Sequence, residues 1–398
     1  MPMDVSMCQS TPHNTSLSLD FTDPTKFAFT QESQRIRQPD HSFHLVHTIG
    51  SIEVRNAEKS AGSYVHVDLD IRGSNAQLIS SDALGIAKTD SSLTVTTPKQ
   101  LPNGMVLDRG MKMPCIQVSA IITISPGARL EDFGIDSETL SVIFRPGLDY
   151  AESRVVETKT QFDSVSTYSR ETIINVISAS VTGSFPLYDL LSIHTNSGSI
   201  HADIVPHNAS RENVKPAVLR LSSNSGSVRS RTSTTSVPDR DYQTSISTSS
   251  GSIEAGILHG LRTSLRSING RVTADLYPCG HNDSRTDIEA HSTSGGMDVT
   301  LHSSISHPTA PLKKLYGYYR GVSGSLTIFY PAQWQGTVVG TTLSGGIDID
   351  WQGLKIVKDG KEGYVKRTIE AVRGEGEGRL EFHETSGSFR LGGESGGV

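Results

Sequence analysis

One dipeptide, Ser-Gly (once Asn-Gly), recurs down the second half of the chain, with apolar residues alternating on both sides of it. Its glycines are Gly198, Gly226, Gly251, Gly270, Gly295, Gly324, Gly345 and Gly387, at intervals of 28, 25, 19, 25, 29, 21 and 42 residues. Two residues after each stand Ile200, Val228, Ile253, Val272, Met297, Leu326, Ile347 and Phe389, all apolar. In a chain that is 35% hydrophobic, eight apolar residues in one column arise by chance about twice in 10,000. One residue further on, none is apolar: His201, Arg229, Glu254, Thr273, Asp298, Thr327, Asp348 and Arg390. Five before the glycine, only Gly340 breaks a run of apolar residues. Period-two alternation on either side of a glycine means strand, turn, strand, with one buried face. The glycine meets the turn's need for a positive φ or for close approach to a neighbouring backbone. The preceding Ser or Asn is expected to bond backbone groups at the corner.

A unit of 19 to 29 residues holds two or three short strands and cannot bury its apolar side alone, so neighbouring units must stack. The expected fold is all-β: a β-solenoid (β-helix-like) of irregular 19–29-residue Ser-Gly repeats with a β-rich N-terminal cap. A pair of β-sandwich domains shares the alternation but gives no reason for one recurring Ser-Gly column. Surplus length goes into loops at 206–216, 231–241, 278–287, 302–314 and 352–378, all rich in Pro, Gly, Asn, Asp or charge. The resulting organisation is a polar, aperiodic and poorly ordered extension over 1–40, a β-rich lead-in and cap over 41–175, the repeat solenoid over 176–392 and a Gly-rich tail over 393–398. Within the lead-in, Phe43, Leu45, Gly50, Ile52 and Val54 fit one degenerate unit, and 115–124 reads as a long strand ended by Pro126-Gly127.

Ser and Thr make up 90 of the 398 residues while aromatics are 6%, a balance suited to many short strands and turns. A net charge of −6 leaves no footprint for nucleic acid or an anionic membrane. No run of 18 apolar residues occurs, so no membrane-spanning helix is expected. Cys8, Cys115 and Cys279 are odd in number and far apart, which supports neither a disulfide framework nor a zinc site. The expectation is three reduced thiols in a soluble, intracellular (cytoplasmic) protein, with the cell surface as the alternative.

The stretches GSFPLYDLLSIHTNSGSIHADI (183–204), PAVLRLSSNSGSV (216–228), RDYQTSISTSSGSIEAGILHG (240–260), YPAQWQGTVVGTTLSGGIDIDWQGL (330–354) and GEGEGRLEFHETSGSFRL (374–391) resemble a fungal family of uncharacterised, adhesin-like proteins. That family is akin to the bacterial putative-adhesin domain of unknown function, with its Ser-Gly-Ser-Ile rungs. The resemblance spans roughly 43–392 and departs at Asn269-Gly270-Arg271. It implies a β-solenoid and brings no catalytic residues.

Few residue patterns carry chemistry. His41, His44 and His47 are spaced by three, which on a strand alternates faces and cannot converge on one metal. The G-x-S-x-G match at 393–397 has no following helix. The run 355–377 mixes six basic with five acidic residues, as a solvated hairpin does. One acidic set stands out. Glu254, Asp298 and Asp348 lie three after their glycines and Asp275 lies five after its own. Stacked at about 4.8 Å per strand, Glu254, Asp275 and Asp298 form a zigzag that could flank a sugar or hold calcium. The principal reading is a non-enzymatic binding or scaffold protein with no cofactor, no metal and no nucleic acid, meeting protein or carbohydrate ligands through its loops. The alternatives are a carbohydrate-active β-helix enzyme using the acidic zigzag, and a self-assembling intracellular scaffold.

Overall fold

A computed structural model describes residues 8, 10–22, 24–34, 46–57, 62–100, 113–145, 168–209, 216–279, 284–362 and 366–393. Among them the chain is all-β, with one 3₁₀ turn at Ala76–Ile79, and its sheets are mostly parallel. It divides into two compact units: Met1–Pro186 with Ile193–Gly198, and Leu187–Ser192 with Ser199–Val398.

The first unit holds β1 (His13–Thr22), β2 (Lys26–Gln34), β3 (His47–Asn56), β4 (Tyr64–Gly73), β5 (Gly85–Lys88), β6 (Ser92–Pro98), β7 (Cys115–Ile124), β8 (Arg129–Ser137), β9 (Ser141–Phe144), β10 (Tyr168–Val176) and all but the last residue of β11 (Val181–Leu187). One sheet runs β1-β4-β7-β3-β9-β11 and the other β10-β8-β2-β6-β5. The strand expected over 115–124 forms with those bounds, and Ile52 and Val54 are buried as the degenerate unit requires. Phe43 and Leu45 lie outside the described residues.

The expectation of a poorly ordered 1–40 needs correction. β2 sits between β6 and β8, parallel to both. It buries Phe27, Phe29 and Gln31, whose Oε1 accepts from Ser137 Oγ and the Glu138 N–H, each at 3.1 Å. Sequence polarity misled because β1 is a sheet edge with little apolar surface to hide. Residues 1–7, 9 and 35–40 lie outside the described part. Phe27, Phe133, Phe144 and Phe185 continue the core as a chain of ring contacts 4.6 to 6.1 Å apart. The expectation of three free thiols also fails: Cys8 and Cys115 are joined by a disulfide with a Cα–Cα distance of 5.6 Å, while Cys279 is free and buried. Their 107-residue separation hid the pairing, because β7 and the N-terminal segment meet only through the fold.

β12 (Leu190–Thr195) has residues in both units. The second unit then alternates between two sheets, one strand at a time: β13 (Ile200–Pro206), β14 (Ala217–Ser223), β15 (Val228–Thr232), β16 (Tyr242–Thr248), β17 (Ile253–His259), β18 (Arg262–Ser267), β19 (Val272–Pro278), β20 (Thr286–Ser292), β21 (Met297–Leu301), β22 (Leu315–Ser323) and β23 (Leu326–Tyr330). Odd-numbered strands form sheet I and even-numbered ones sheet II. The column two after the glycine is paired laterally: Ile200 with Val228, Val228 with Ile253, Ile253 with Val272, Val272 with Met297, Met297 with Leu326. Ile253 and Ile347 are buried while Glu254 and Asp348 face solvent.

The glycines serve close approach. A Cβ on Gly270 would lie 1.8 Å from the Gly251 carbonyl oxygen, and one on Gly251 would lie 2.1 Å from that of Gly226. At the corners of Gly226, Gly251, Gly270 and Gly295 the hydroxyl that bonds the glycine N–H is not the one the sequence indicated. Ser225 and Ser250 are exposed, whereas the residue three before the glycine is buried: Ser223, Thr248, Ser267 and Ser292. Thr248 Oγ1 accepts from the Gly251 N–H and donates to the Gly226 carbonyl, both at 3.0 Å. Ser267 does the same between Gly270 N–H (2.9 Å) and Gly251 carbonyl (3.2 Å).

Beyond β23 the lateral order departs from chain order. The remaining strands are β24 (Gly336–Ser344), β25 (Ile347–Asp350), β26 (Lys355–Glu362), β27 (Lys366–Arg373), β28 (Gly378–Ser386) and β29 (Phe389–Gly393). β29 lies between β23 and β25, and β28 lies between β22 and β24. The 42-residue interval contains the antiparallel hairpin β26–β27, whose β27 pairs antiparallel with β24. Gly340, the gap in the apolar column, makes room for Phe382: a Cβ there would lie 1.9 Å from the Phe382 ring.

Candidate functional site

Glu254, Asp275 and Asp298 stand on the outer face of sheet I. Glu254 is level with Thr273, Thr273 with Asp298, and Asp275 with Gly256 and Thr300. Each carboxylate already has a partner from a neighbouring strand or turn. Glu254 accepts from Arg229 Nε at 2.9 Å, and Asp298 from Arg271 Nε at 2.8 Å. Asp275 lies 3.1 Å from His302 Nε2, and Asp348 lies 3.8 Å from Arg390. Arg229 and Arg390 belong to the same outward column as the acids, so alternating charge down the ladder is a cross-strand pairing pattern. His41 and His44, and residues 394–397 of the G-x-S-x-G match, lie outside the described residues. No group of three or more His, Cys, Asp or Glu among the described residues is placed to hold a metal ion.

The outer face of sheet II carries a different constellation. β22 reads Leu315-Tyr316-Gly317-Tyr318-Tyr319, and its alternation sends Tyr316 and Tyr318 outward while Leu315 and Tyr319 are buried. Two outward columns cross four strands here. Arg262, Asp287, Tyr316 and Arg379 are lateral neighbours in one, and Glu289, Tyr318 and Glu381 in the other. Together they line a groove of about 580 Å³. The Arg285 guanidinium lies 4.1 Å over the centre of the Tyr316 ring and donates to Asp287 Oδ1 from Nε (2.9 Å) and Nη2 (2.8 Å). That bond to Asp287 raises the Arg285 pKa. Arg262 Nη2 donates to Glu289 at 2.9 Å, and Arg379 Nε to Glu381. Tyr318 remains 37% exposed, with the His383 ring 5.6 Å from its own.

The floor of this groove is fixed from beneath. A Cβ on Gly317 would lie 2.3 Å from the Tyr330 hydroxyl. With only hydrogen there, Tyr319 and Tyr330 meet inside, their hydroxyls 2.8 Å apart and fully buried. Burial pushes both phenols well above the usual range, so they stay neutral and hydrogen-bonded. Chemically, the groove offers the exposed Tyr318 ring beside a Tyr316 ring capped on one face by Arg285, flanked by planar donors and acceptors, with three cations and three anions balanced against one another.

Sequence reasoning passed over these residues. The signal was the Tyr-x-Tyr step in β22, but the lateral neighbours depend on a register that the intervening loops conceal. Contacts were expected on loops; this face is built from strands, and only Arg285 comes from the loop before β20.

No family model and no curated protein matches the chain. Among solved structures it is similar to a putative adhesin from Parabacteroides distasonis (11% identity, 97% of this chain and 100% of that chain, TM-score 0.37). It is also similar to a putative adhesin from Parabacteroides merdae (8% identity, 98% of each chain, TM-score 0.36). A third is a putative lipid binding protein from Parabacteroides distasonis (11% identity, 96% and 97%, TM-score 0.32). With TM-scores below 0.5, none of these likenesses bears on what the chain does.

Proposed function

We propose that this chain is a non-enzymatic, adhesin-like β-solenoid that binds its ligand on the outer face of sheet II. The observation that carries the reading is the groove over Tyr316 and Tyr318, preformed on four strands and supported by the buried Tyr319–Tyr330 pair. Aromatic side chains held rigid give contact area at small entropic cost, which is what recognition without chemistry requires. Alternation of successive strands between two sheets, with the glycine columns in lateral register, supports the solenoid. The Cys8–Cys115 disulfide supports the cell-surface alternative, since such bonds persist in oxidising compartments. Among the described residues no helix is long and apolar enough to cross a membrane.

The test is adsorption of the full chain to insoluble polysaccharides and to protein-coated surfaces, with release of reducing sugar followed in parallel. Saturable adsorption without sugar release, unchanged by Glu254→Gln, Asp275→Asn and Asp298→Asn together, is the expected result. Sugar release that the triple substitution abolishes would overturn it and establish a carbohydrate-active enzyme.

A further inference from the structure

We infer that the Tyr316–Tyr318 groove takes a neutral oligosaccharide, a few rings of a longer glycan; this rests on the binding function proposed above and names its ligand class. Outward neighbours two apart on one strand lie about 7 Å from each other, so Tyr318 and the Arg285-stacked Tyr316 form a short planar platform along β22. A pyranose ring presents a flat C–H face that packs on such an aromatic surface and a rim of hydroxyls that must be hydrogen-bonded once water leaves. The rim partners are in place. Arg262, Arg285 and Arg379 carry N–H groups beyond those used in their ion pairs, and Asp287, Glu289 and Glu381 carry spare lone pairs.

Charge decides against the other ligand classes. Each arginine of the groove is matched by a carboxylate within hydrogen-bonding distance. A phosphorylated, sulfated or strongly acidic ligand would meet arginines whose charge is already neutralised and would lie against the three carboxylates paired with them. A neutral, hydroxyl-rich ligand disturbs none of them. The groove's volume of about 580 Å³ falls in the range of small-ligand sites.

The probes are cellohexaose, laminarihexaose, mannohexaose and chitohexaose, with a heparin hexasaccharide as the charged comparison, each titrated calorimetrically into the full chain. At least one neutral hexasaccharide is expected to bind with one-to-one stoichiometry and nearly the same affinity at low and high salt. Tyr316→Ala with Tyr318→Ala is expected to weaken it by about tenfold or more, an aromatic anchor's usual share. Tyr316→Phe with Tyr318→Phe, which keeps both rings, should retain binding and shows that the site still folds. The inference is overturned if no neutral hexasaccharide binds, if the alanine variant binds as tightly as the parent, or if only the heparin fragment binds and salt removes it. A groove whose tyrosines are needed for adsorption to protein surfaces, but which binds none of the sugars, would end this inference while leaving the binding function standing.

Discussion

Gly321 and Glu384 are lateral neighbours in sheet II, and the Glu384 carboxyl occupies the space that a side chain on Gly321 would need. A Cβ on Gly321 would lie 1.8 Å from Glu384 Oε2. Glu384 stands three residues before Gly387, the position that holds a small buried hydroxyl in Ser223, Thr248, Ser267 and Ser292. Burial, only partly offset by the Ser386 backbone bond, pushes its pKa up from 4.5 to about 7.

The pH dependence follows from that shift. Because the folded-state pKa lies above the unfolded value, folding takes up a proton. The protonated carboxyl stabilises fully below pH 4.5, and the benefit is lost as pH rises through about 7. The total swing is about 3 kcal/mol. Urea unfolding from pH 4.5 to pH 8 should show the parent losing this stability while Glu384→Gln, which cannot ionise, loses far less across the same window.

Close backbone approach makes Gly270 intolerant of any side chain. Gly270→Ala should cost more than about 3 kcal/mol, because the obstacle is backbone that cannot swing aside. Gly346, with nothing within 4 Å of its would-be Cβ, is the comparison, and Gly346→Ala should change stability by less than about 1 kcal/mol. Equal denaturation midpoints for the two variants would contradict the stacking described.

Thr248 serves two backbone groups at once, accepting from Gly251 and donating to Gly226. Thr248→Val keeps the shape and strands both groups in the interior, at a cost of about 2–4 kcal/mol. Thr248→Ser keeps the hydroxyl and should cost about 1 kcal/mol for the lost methyl. Differential scanning calorimetry of the two variants separates hydrogen bonding from volume.

Much of the second unit was legible from period-two alternation alone, because a buried face demands it: Ile253 in, Glu254 out, Ile347 in, Asp348 out. Three things were not. The insertion of β28 and β29 ahead of β24 and β25 depends on Phe382 and Glu384 fitting against Gly340 and Gly321, a complementarity between residues some 40 to 60 positions apart. The corner hydroxyls were masked by a 23% Ser and Thr background, in which Ser225 looks no different from Ser223. The Tyr316–Tyr318 groove depends on which strands stand beside β22, and irregular loops conceal that register.

The Cys8–Cys115 bond closes a loop with a sequence separation of 107 residues, so it restricts the unfolded chain strongly. Reduction, or Cys8→Ser with Cys115→Ser, should destabilise the first unit by about 2–5 kcal/mol. Thermal unfolding with and without dithiothreitol measures this, and mass analysis after alkylation without reductant should find no labelled thiol in the native protein and one, Cys279, after denaturation.

The order of strands at the C-terminal end is the most direct test of the architecture. Thr327 is level with Arg390 on the adjacent strand, whereas Asp348 lies one strand further away, on the far side of Arg390. Adjacent strands stand about 4.8 Å apart and alternate ones about 9.6 Å, and a disulfide cannot span a Cα separation above about 7 Å. In a Cys279→Ala background, Thr327→Cys with Arg390→Cys should cross-link on mild oxidation, and Thr327→Cys with Asp348→Cys should not. Cross-linking of the second pair and not the first would mean that the strands stack in chain order, and would contradict the fold on which the site rests.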